Sequence, residues 1–454
     1  MTNSAAKENK MGVMPIPKLL ISMSLPMIIS MLVQALYNVV DSIFVAQMNE
    51  AALTAVSLAF PIQNLMIAVA AGTGVGINAL LSRSLGEKNR ELANKTAHNG
   101  ILLMILTALV CAVLGIFGSH WFFTTQTEDA IIIEYGHQYL SIVLTFSFGL
   151  YGQFITERLL QATGRTLYSM YTQLLGAVTN IILDPILIFG LFGLPAMGIT
   201  GAALATVIGQ IISACVGLWF NVNKNHDIEL RIRELRPDGS VIKKIYSVGI
   251  PSIIMGSIGS VMTYGMNLIL MGFSSTAAAV FGVYFKLQSF FFMPVFGLNN
   301  GMVPIIAFNY GARNKERMMK TYKLSVLYAV GIMLIGFMVM QLIPAQLFGM
   351  FEASEVMLSI GVPALRLISI SWLFAGFCII SGSMFQALGN GVLSMLISVA
   401  RQLLVLLPVA YLLSLTGNLN MIWLSFPIAE IASLVLSGIF LYRIYKKIIK
   451  PLGE

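Results

Sequence analysis

Residues 19–46 read LLISMSLPMIISMLVQALYNVVDSIFVA, an apolar run that carries one carboxylate, Asp41. About 20 apolar residues cross a bilayer, so this segment reads as a transmembrane helix. A carboxylate at the centre of such a helix costs roughly 2.5–3.5 kcal/mol or more, and by default it marks an ion, proton or substrate path. A second acid, Asp184, lies in another apolar run, 166–189. Two acids inside hydrophobic segments point to coupled transport.

The whole chain has this character. Of its 454 residues 57% are hydrophobic and 10% charged, with a mean hydropathy of +0.85. Soluble domains carry about 25% charged residues, so the composition excludes a soluble α/β enzyme and implies an all-α integral membrane protein. Apolar runs predict twelve transmembrane helices near 18–46, 53–82, 94–118, 130–157, 166–190, 197–221, 244–272, 276–308, 322–345, 355–385, 391–415 and 419–443.

The net charge of +8 sits in short loops rather than on a nucleic-acid-binding face, so no nucleic acid partner is expected. Loops after even-numbered spans hold the basic residues, among them Arg83, Lys88, Arg90 and Lys95, then Arg158 and Arg165, then Lys224 to Lys244, then Arg313 to Lys323. Lys7, Lys10 and Lys18 precede the first span, and Arg443, Lys446, Lys447 and Lys450 close the last. Loops after odd-numbered spans carry acids such as Glu50, Glu128, Asp129, Glu352 and Glu355, and no Lys or Arg. By the positive-inside rule both termini are cytoplasmic, which suits a multi-pass protein of the bacterial inner membrane. The lipid bilayer is its surroundings, and a monomer is the expected state.

The halves repeat at an offset of 225 residues. Pro251 falls on Pro26, Gln288 on Gln63, Phe285 on Phe60, and Gly297 and Gly301 on Gly72 and Gly76. Gly311-Ala-Arg-Asn314 falls on Gly86-Glu-Lys-Asn89, and Gln386-Ala-Leu-Gly389 on Gln161-Ala-Thr-Gly164. Two six-helix bundles related by a pseudo-twofold axis follow, with substrate between them and rocking of one against the other. The expected units are an N-lobe, 1–222, a cytoplasmic linker, 223–243, and a C-lobe, 244–454. Pro26 and Pro251, at equivalent positions, are candidate hinges.

At helical spacing Gln34, Tyr37, Asn38 and Asp41 share one face, as do Asn180 and Asp184. Where the two faces meet they make a polar pocket with two carboxylates. Carboxylates sharing an apolar pocket resist double ionisation, so one can hold a proton, while the same oxygens can instead ligate Na⁺. Lys286, Arg366, Arg401 and Glu430 form a second polar set in the second half, read either as an ion-pair network or as part of coupling. Phe154, Met255 and Met262 are candidates for contact with aromatic cations. The three cysteines lie in apolar spans without metal-like spacing and read as buried small residues. The four histidines are isolated and read as surface groups. No P-loop is present, no enzyme signature appears, and no cofactor is implied beyond H⁺ or Na⁺.

Together these features resemble the multidrug and toxic compound extrusion (MATE) family. The carrying residues are Ser24-Leu25-Pro26, Gln34-Ala-Leu-Tyr37-Asn38-Val-Val-Asp41, Gly86-Glu-Lys-Asn89, Leu160-Gln161-Ala-Thr-Gly164 and Asn180-Ile-Ile-Leu-Asp184-Pro185. The acid in the first span is similar to the DinF branch, and the overall pattern to the MepA-like bacterial drug exporters. The resemblance implies the MATE/MOP fold and an antiporter that exports cationic amphipathic drugs in exchange for H⁺ or Na⁺. It implies an ion site at Asp41, Asn180 and Asp184 with a span 6 threonine, Thr206 in preference to Thr200. The NorM branch uses acids in spans 7 and 10, and this chain has none in span 7 and none past Glu355 in span 10. A lipid-linked precursor flippase of the same superfamily is the alternative. A membrane-embedded enzyme lacks its expected acid or His cluster.

Overall fold

The computed structural model describes residues 8–351 and 353–453; Lys7 and Glu352, counted above among the loop charges, lie outside them. Among the described residues all regular structure is helical. Ten helices are long and apolar enough to cross a membrane, and two bent pairs bring the number to twelve. Spans 1 to 6 are Ile16–Ala46, Glu50–Gly86, Arg90–Thr124, the pair Ala130–Thr145 and Phe148–Ala162, Thr166–Phe189 and Ile199–Lys224. Spans 7 to 10 are Gly239–Met271, Ser275–Gly311, Lys315–Leu342 and the pair Glu355–Ser369 and Trp372–Ala387. Spans 11 and 12 are Gly391–Ser414 and Leu419–Leu452.

The sequence repeat is also a repeat of local structure. The bends, 43° in span 4 and 49° in span 10, fall at equivalent places. Asn49 and Ser274 cap spans 2 and 8 by accepting from Ala52 N–H and Ala277 N–H. Asn89 and Asn314 cap spans 3 and 9 in the same way; such caps satisfy amide donors that the first helical turn leaves free. Before each of the latter caps a basic residue, Lys88 or Arg313, takes a left-handed backbone, with φ of 57° and 54°. Pro26 removes the amide that would bond the Ser22 carbonyl; Thr166 Oγ1 of span 5 donates to that carbonyl instead, at 3.4 Å, and span 1 continues unbroken.

Each lobe has its own apolar core, and the two cores exchange helix ends. Ile16 and Leu20 of span 1 belong to the C-lobe core, and their repeat mates Val241 and Ile245 of span 7 belong to the N-lobe core. The lobes meet where glycines let backbones touch. A Cβ on Gly86 would stand 1.9 Å from Phe308 O, and one on Gly311 2.2 Å from Arg83 O. A Cβ on Gly76 would meet Ile245 O at 2.1 Å, and one on Gly301 the Ser24 backbone at 2.7 Å. All these contacts lie toward the end that carries the basic loops, called here the basic end. Arg158 adds a bridge there, donating to Gln161 in its own lobe at 2.9 Å and to Asn300 in the other at 3.2 Å. The sequence places Arg158 in a loop; span 4 in fact runs on to Ala162, so this arginine is half-buried between lobes and is no loop charge.

The chain start is tied across the seam. Asn9 Nδ2 donates to Thr163 O of the N-lobe at 3.1 Å. Arg317 Nη2 of the C-lobe donates to Met11 O at 2.9 Å and Met14 O at 2.8 Å, and Asn309 Nδ2 also reaches Met11 O, at 3.1 Å. Charge-assisted hydrogen bonds contribute about 1.5–3 kcal/mol. Arg317→Ala should therefore free the segment, raising protease cleavage between residues 8 and 15 roughly tenfold or more, as peptide mapping of the purified protein would show.

The linker lies along the N-lobe. His98 Nε2 accepts from Arg231 N–H at 3.0 Å, Asn99 Oδ1 from Asp238 N–H at 2.9 Å, and Asn94 Oδ1 from Glu229 N–H at 2.9 Å. His98 is only 2% exposed, so it is a buried linker anchor rather than a surface histidine. Its sequence neighbours gave no sign of this, because the partner backbone lies 133 residues away. Cys111 and Cys378 are buried and Cys215 is exposed, so the expectation of burial fails for Cys215.

Candidate functional site

Spans 1, 2, 4, 5 and 6 surround a cavity of about 60 Å³ inside the N-lobe, room for a few waters. Gln34, Tyr37, Phe154, Asn180 and Thr206 line it. Gln173 Nε2 donates to Gln34 Oε1 at 3.0 Å, fastening span 5 to span 1 across this space.

Beside the cavity the carboxyls of Asp41 and Asp184 lie within hydrogen-bonding reach of each other. Asp184 is fully buried and Asp41 partly so. One oxygen of each, Oδ1, is buried without a hydrogen-bond partner. Asn180, one turn before Asp184, donates to Asp184 Oδ2 at 3.2 Å while its carbonyl accepts from Thr206 N–H at 3.1 Å. The Thr206 hydroxyl lies 3.3 Å from the same amide group and donates to Ala202 O at 3.1 Å. Thr200 is elsewhere, donating to Gln138 at 3.5 Å. Spans 1, 5 and 6 thus bring Asp41, Asn180, Asp184 and Thr206 into one cluster.

The tight packing of spans 5 and 6 makes this possible. A Cβ on Gly209 would lie 2.8 Å from Gly176 O, and one on Gly176 1.9 Å from Ser213 Oγ. Tyr37 stands close enough to both carboxylates to feel their charge. Tyr139 of span 4 does so too, and its hydroxyl accepts from Gln63 Nε2 at 3.0 Å. Tyr139 and Gln63 were missed as site residues. The one available signal was Gln63, the repeat mate of Gln288; Tyr139 has no such mark in an apolar run.

Asn38 does not join the cluster. It is exposed, and its carbonyl accepts from Ser42 Oγ at 2.8 Å. A helix turns about 100° per residue, so Asn38 sits at the edge of the polar stripe, well away from Tyr37. Met255 lines a different cavity, of about 320 Å³, in the C-lobe. Met262 is buried in the C-lobe core. Of the four C-lobe charges only two meet: Arg401 Nη1 donates to Glu430 Oε2 at 3.2 Å. Lys286 and Arg366 are exposed; the Lys286 ammonium lies 5.9 Å from the Phe351 ring centre, and the expected four-member network does not form. Their long side chains reach outward from the helix surface and avoid the cost of burial. Pro26 and Pro251 are both buried inside continuous helices.

The MatE family model matches residues 26–186 and again 251–412, two matches that begin at the repeat-related prolines. Multidrug export protein MepA of Staphylococcus haemolyticus strain JCSC1435 is 28% identical over 433 residues, covering 95% of this chain and 94% of that protein. The protein of the same name from Staphylococcus aureus strain MRSA252 is 27% identical over 431 residues, covering 92% and 91%. Among solved structures, an outward-facing conformation of a multidrug resistance MATE family transporter of the MOP superfamily has a TM-score of 0.90 at 25% identity. That likeness covers 98% of this chain and 99% of that one.

Proposed function

Because the chain belongs to the MatE family, we propose that it is a secondary active antiporter that exports cationic amphipathic compounds in exchange for H⁺ or Na⁺. The observation that carries this reading is the carboxylate pair Asp41–Asp184 beside the N-lobe cavity, with an orphaned buried oxygen on each. Two unit charges 4 Å apart repel by roughly 4 kcal/mol at an effective dielectric constant of 20. A buried pair therefore holds a cation between its members. A proton shared between the two carboxyl groups would relieve this repulsion, and Na⁺ would do so by taking oxygens of Asp41, Asp184, Asn180 and Thr206 as ligands.

An exported organic cation near Tyr37 and Phe154 competes with that ion for the same negative charge. This competition is what antiport needs, since each conformational cycle then carries one or the other. The basic end, where the lobes meet, is read as cytoplasmic in a bacterial inner membrane. The present arrangement is then open to the outside, and Pro26 and Pro251 are places where spans 1 and 7 bend during the change. The MepA relatives carry the words multidrug export in their names, which supports a broad range of small-molecule cargo.

Purified protein in proteoliposomes tests this with ethidium efflux under an imposed proton gradient and, separately, a sodium gradient. Efflux driven by one gradient and abolished by its collapse supports antiport and names the ion. Folded protein that moves no ethidium under either gradient would sink cation antiport and raise the lipid-linked precursor flippase.

A further inference from the structure

We propose that the C-lobe cavity is a second ligand site, which takes the carboxylate end of small amphipathic molecules on Arg401. The cavity is about 320 Å³ and is walled by spans 7, 8, 10, 11 and 12, near the lower end of the roughly 300–1,000 Å³ of small-molecule pockets. It is the repeat mate of the N-lobe cavity. At the 225-residue offset Gln153 matches Cys378, Phe154 matches Ile379 and Gln173 matches Ser398, and all six line their respective cavities.

Two departures reverse its chemistry. Where the N-lobe has Tyr37, Asp41, Asn180 and Asp184, the C-lobe has Met262, Met266, Val405 and Val409. No acid pair remains at that place to hold a cation. Where the N-lobe cavity has Gly176, the C-lobe cavity has Arg401. Arg401 lies in a π-helical stretch, Ala400–Leu406, whereas the matching stretch of span 5 is ordinary α-helix. Such wide turns are rare and gather at functional sites.

The hydrogen bonding around Arg401 is incomplete. A guanidinium has five N–H donors, and among the described residues its one side-chain bond is from Nη1 to Glu430 Oε2. The Arg401 side chain is 30% exposed and that of Glu430 6%. Glu430 balances the charge of the partly buried Arg401. The unused donors of Arg401 are a fork suited to a ligand carboxylate, and Phe292 and Phe296 on the same wall would pack against its apolar body. The competing reading is that the pair only fastens span 11 to span 12. Because equilibrium binding without any gradient is the readout, this proposal stands or falls separately from ion coupling in the N-lobe.

The test is fluorescence titration of the full-length protein in lipid nanodiscs with dansylglycine and with its uncharged analogue dansylglycinamide. Wild type should bind dansylglycine roughly tenfold or more tightly than the amide. Arg401→Gln should erase that preference while ethidium binding persists. Should Arg401→Gln unfold because Glu430 is left unpaired, Arg401→Gln with Glu430→Gln removes both charges, and Ser398→Phe fills the cavity with the pair intact; each should abolish dansylglycine binding. Equal affinity for the two probes in wild type, or undiminished dansylglycine binding in Ser398→Phe, overturns the proposal. Displacement of dansylglycine by oleate would assign the site to lipid carboxylates, and no displacement to water-soluble ones; both outcomes uphold a carboxylate site.

Discussion

Asp41→Asn stops gradient-driven ethidium efflux, leaving only the leak rate, while the protein remains inserted and folded. The substitution keeps the shape of the side chain but fixes its charge at zero, so the pair with Asp184 can no longer exchange a cation for cargo. Little stability is at risk. Asp41 Oδ1 has no hydrogen-bond partner to lose, and a neutral amide in its place leaves no second buried carboxylate in need of a cation. The thermal midpoint should stay level or rise. Asp184→Asn should behave alike, and the double variant should be no worse than either alone, because residues that act as one unit are not additive. Undiminished efflux in Asp41→Asn would remove this residue from the mechanism; a doubly impaired double variant would mean that the two acids work separately.

Gly86→Ala combined with Gly311→Ala should part the lobes at the basic end. At each site the new methyl group would meet a backbone carbonyl of the opposite lobe, at 1.9 Å and 2.2 Å. Backbone cannot turn aside as a side chain can. Overpacking of this kind costs about 1–3 kcal/mol per site, and every 1.4 kcal/mol is tenfold in an equilibrium. Spin-label distances between the loops at 88 and 313 should lengthen in most molecules. Both glycines have ordinary helical backbone, so alanine does not strain the helix itself. Gly282→Ala, where a Cβ meets nothing within 4 Å, is the control and should leave the distances unchanged. The same distances in the glycine variants would show that these contacts do not hold this arrangement.

The fold was legible because its signals are local. Apolar length marks the spans, and the Gly-x-x-Asn turns at 86–89 and 311–314 repeat at a fixed offset that the backbone angles at Lys88 and Arg313 reproduce. The acids of the N-lobe stood out for the same reason, a charge in an apolar run. What was hidden depends on contacts between distant segments. Tyr139 is one aromatic among many until the packed helices bring it to the hydroxyl-to-amide contact with Gln63. Asn38 obeys the spacing rule, yet its place at the edge of the stripe is decided by how span 1 is rotated. Arg158 looked like a loop charge because periodicity cannot tell the last helical turn from the loop beyond it. Lys286 and Arg366 are intramembrane charges by position, but only Arg401 and Glu430 face each other, and facing is a property of packing.

The exchanged helix ends have a consequence for biogenesis. Met11, Ile16 and Leu20 complete the core of the second lobe, and Val241 and Ile245 that of the first. Each half alone therefore lacks part of its own core. The bonds from Met11 O to Asn309 and Arg317 join residues 298 and 306 positions apart. At the roughly 5–20 residues per second of protein synthesis, the start of the chain waits about 15–60 s for its partners to be made. Two separately expressed halves would need to meet in the same membrane before either finished folding.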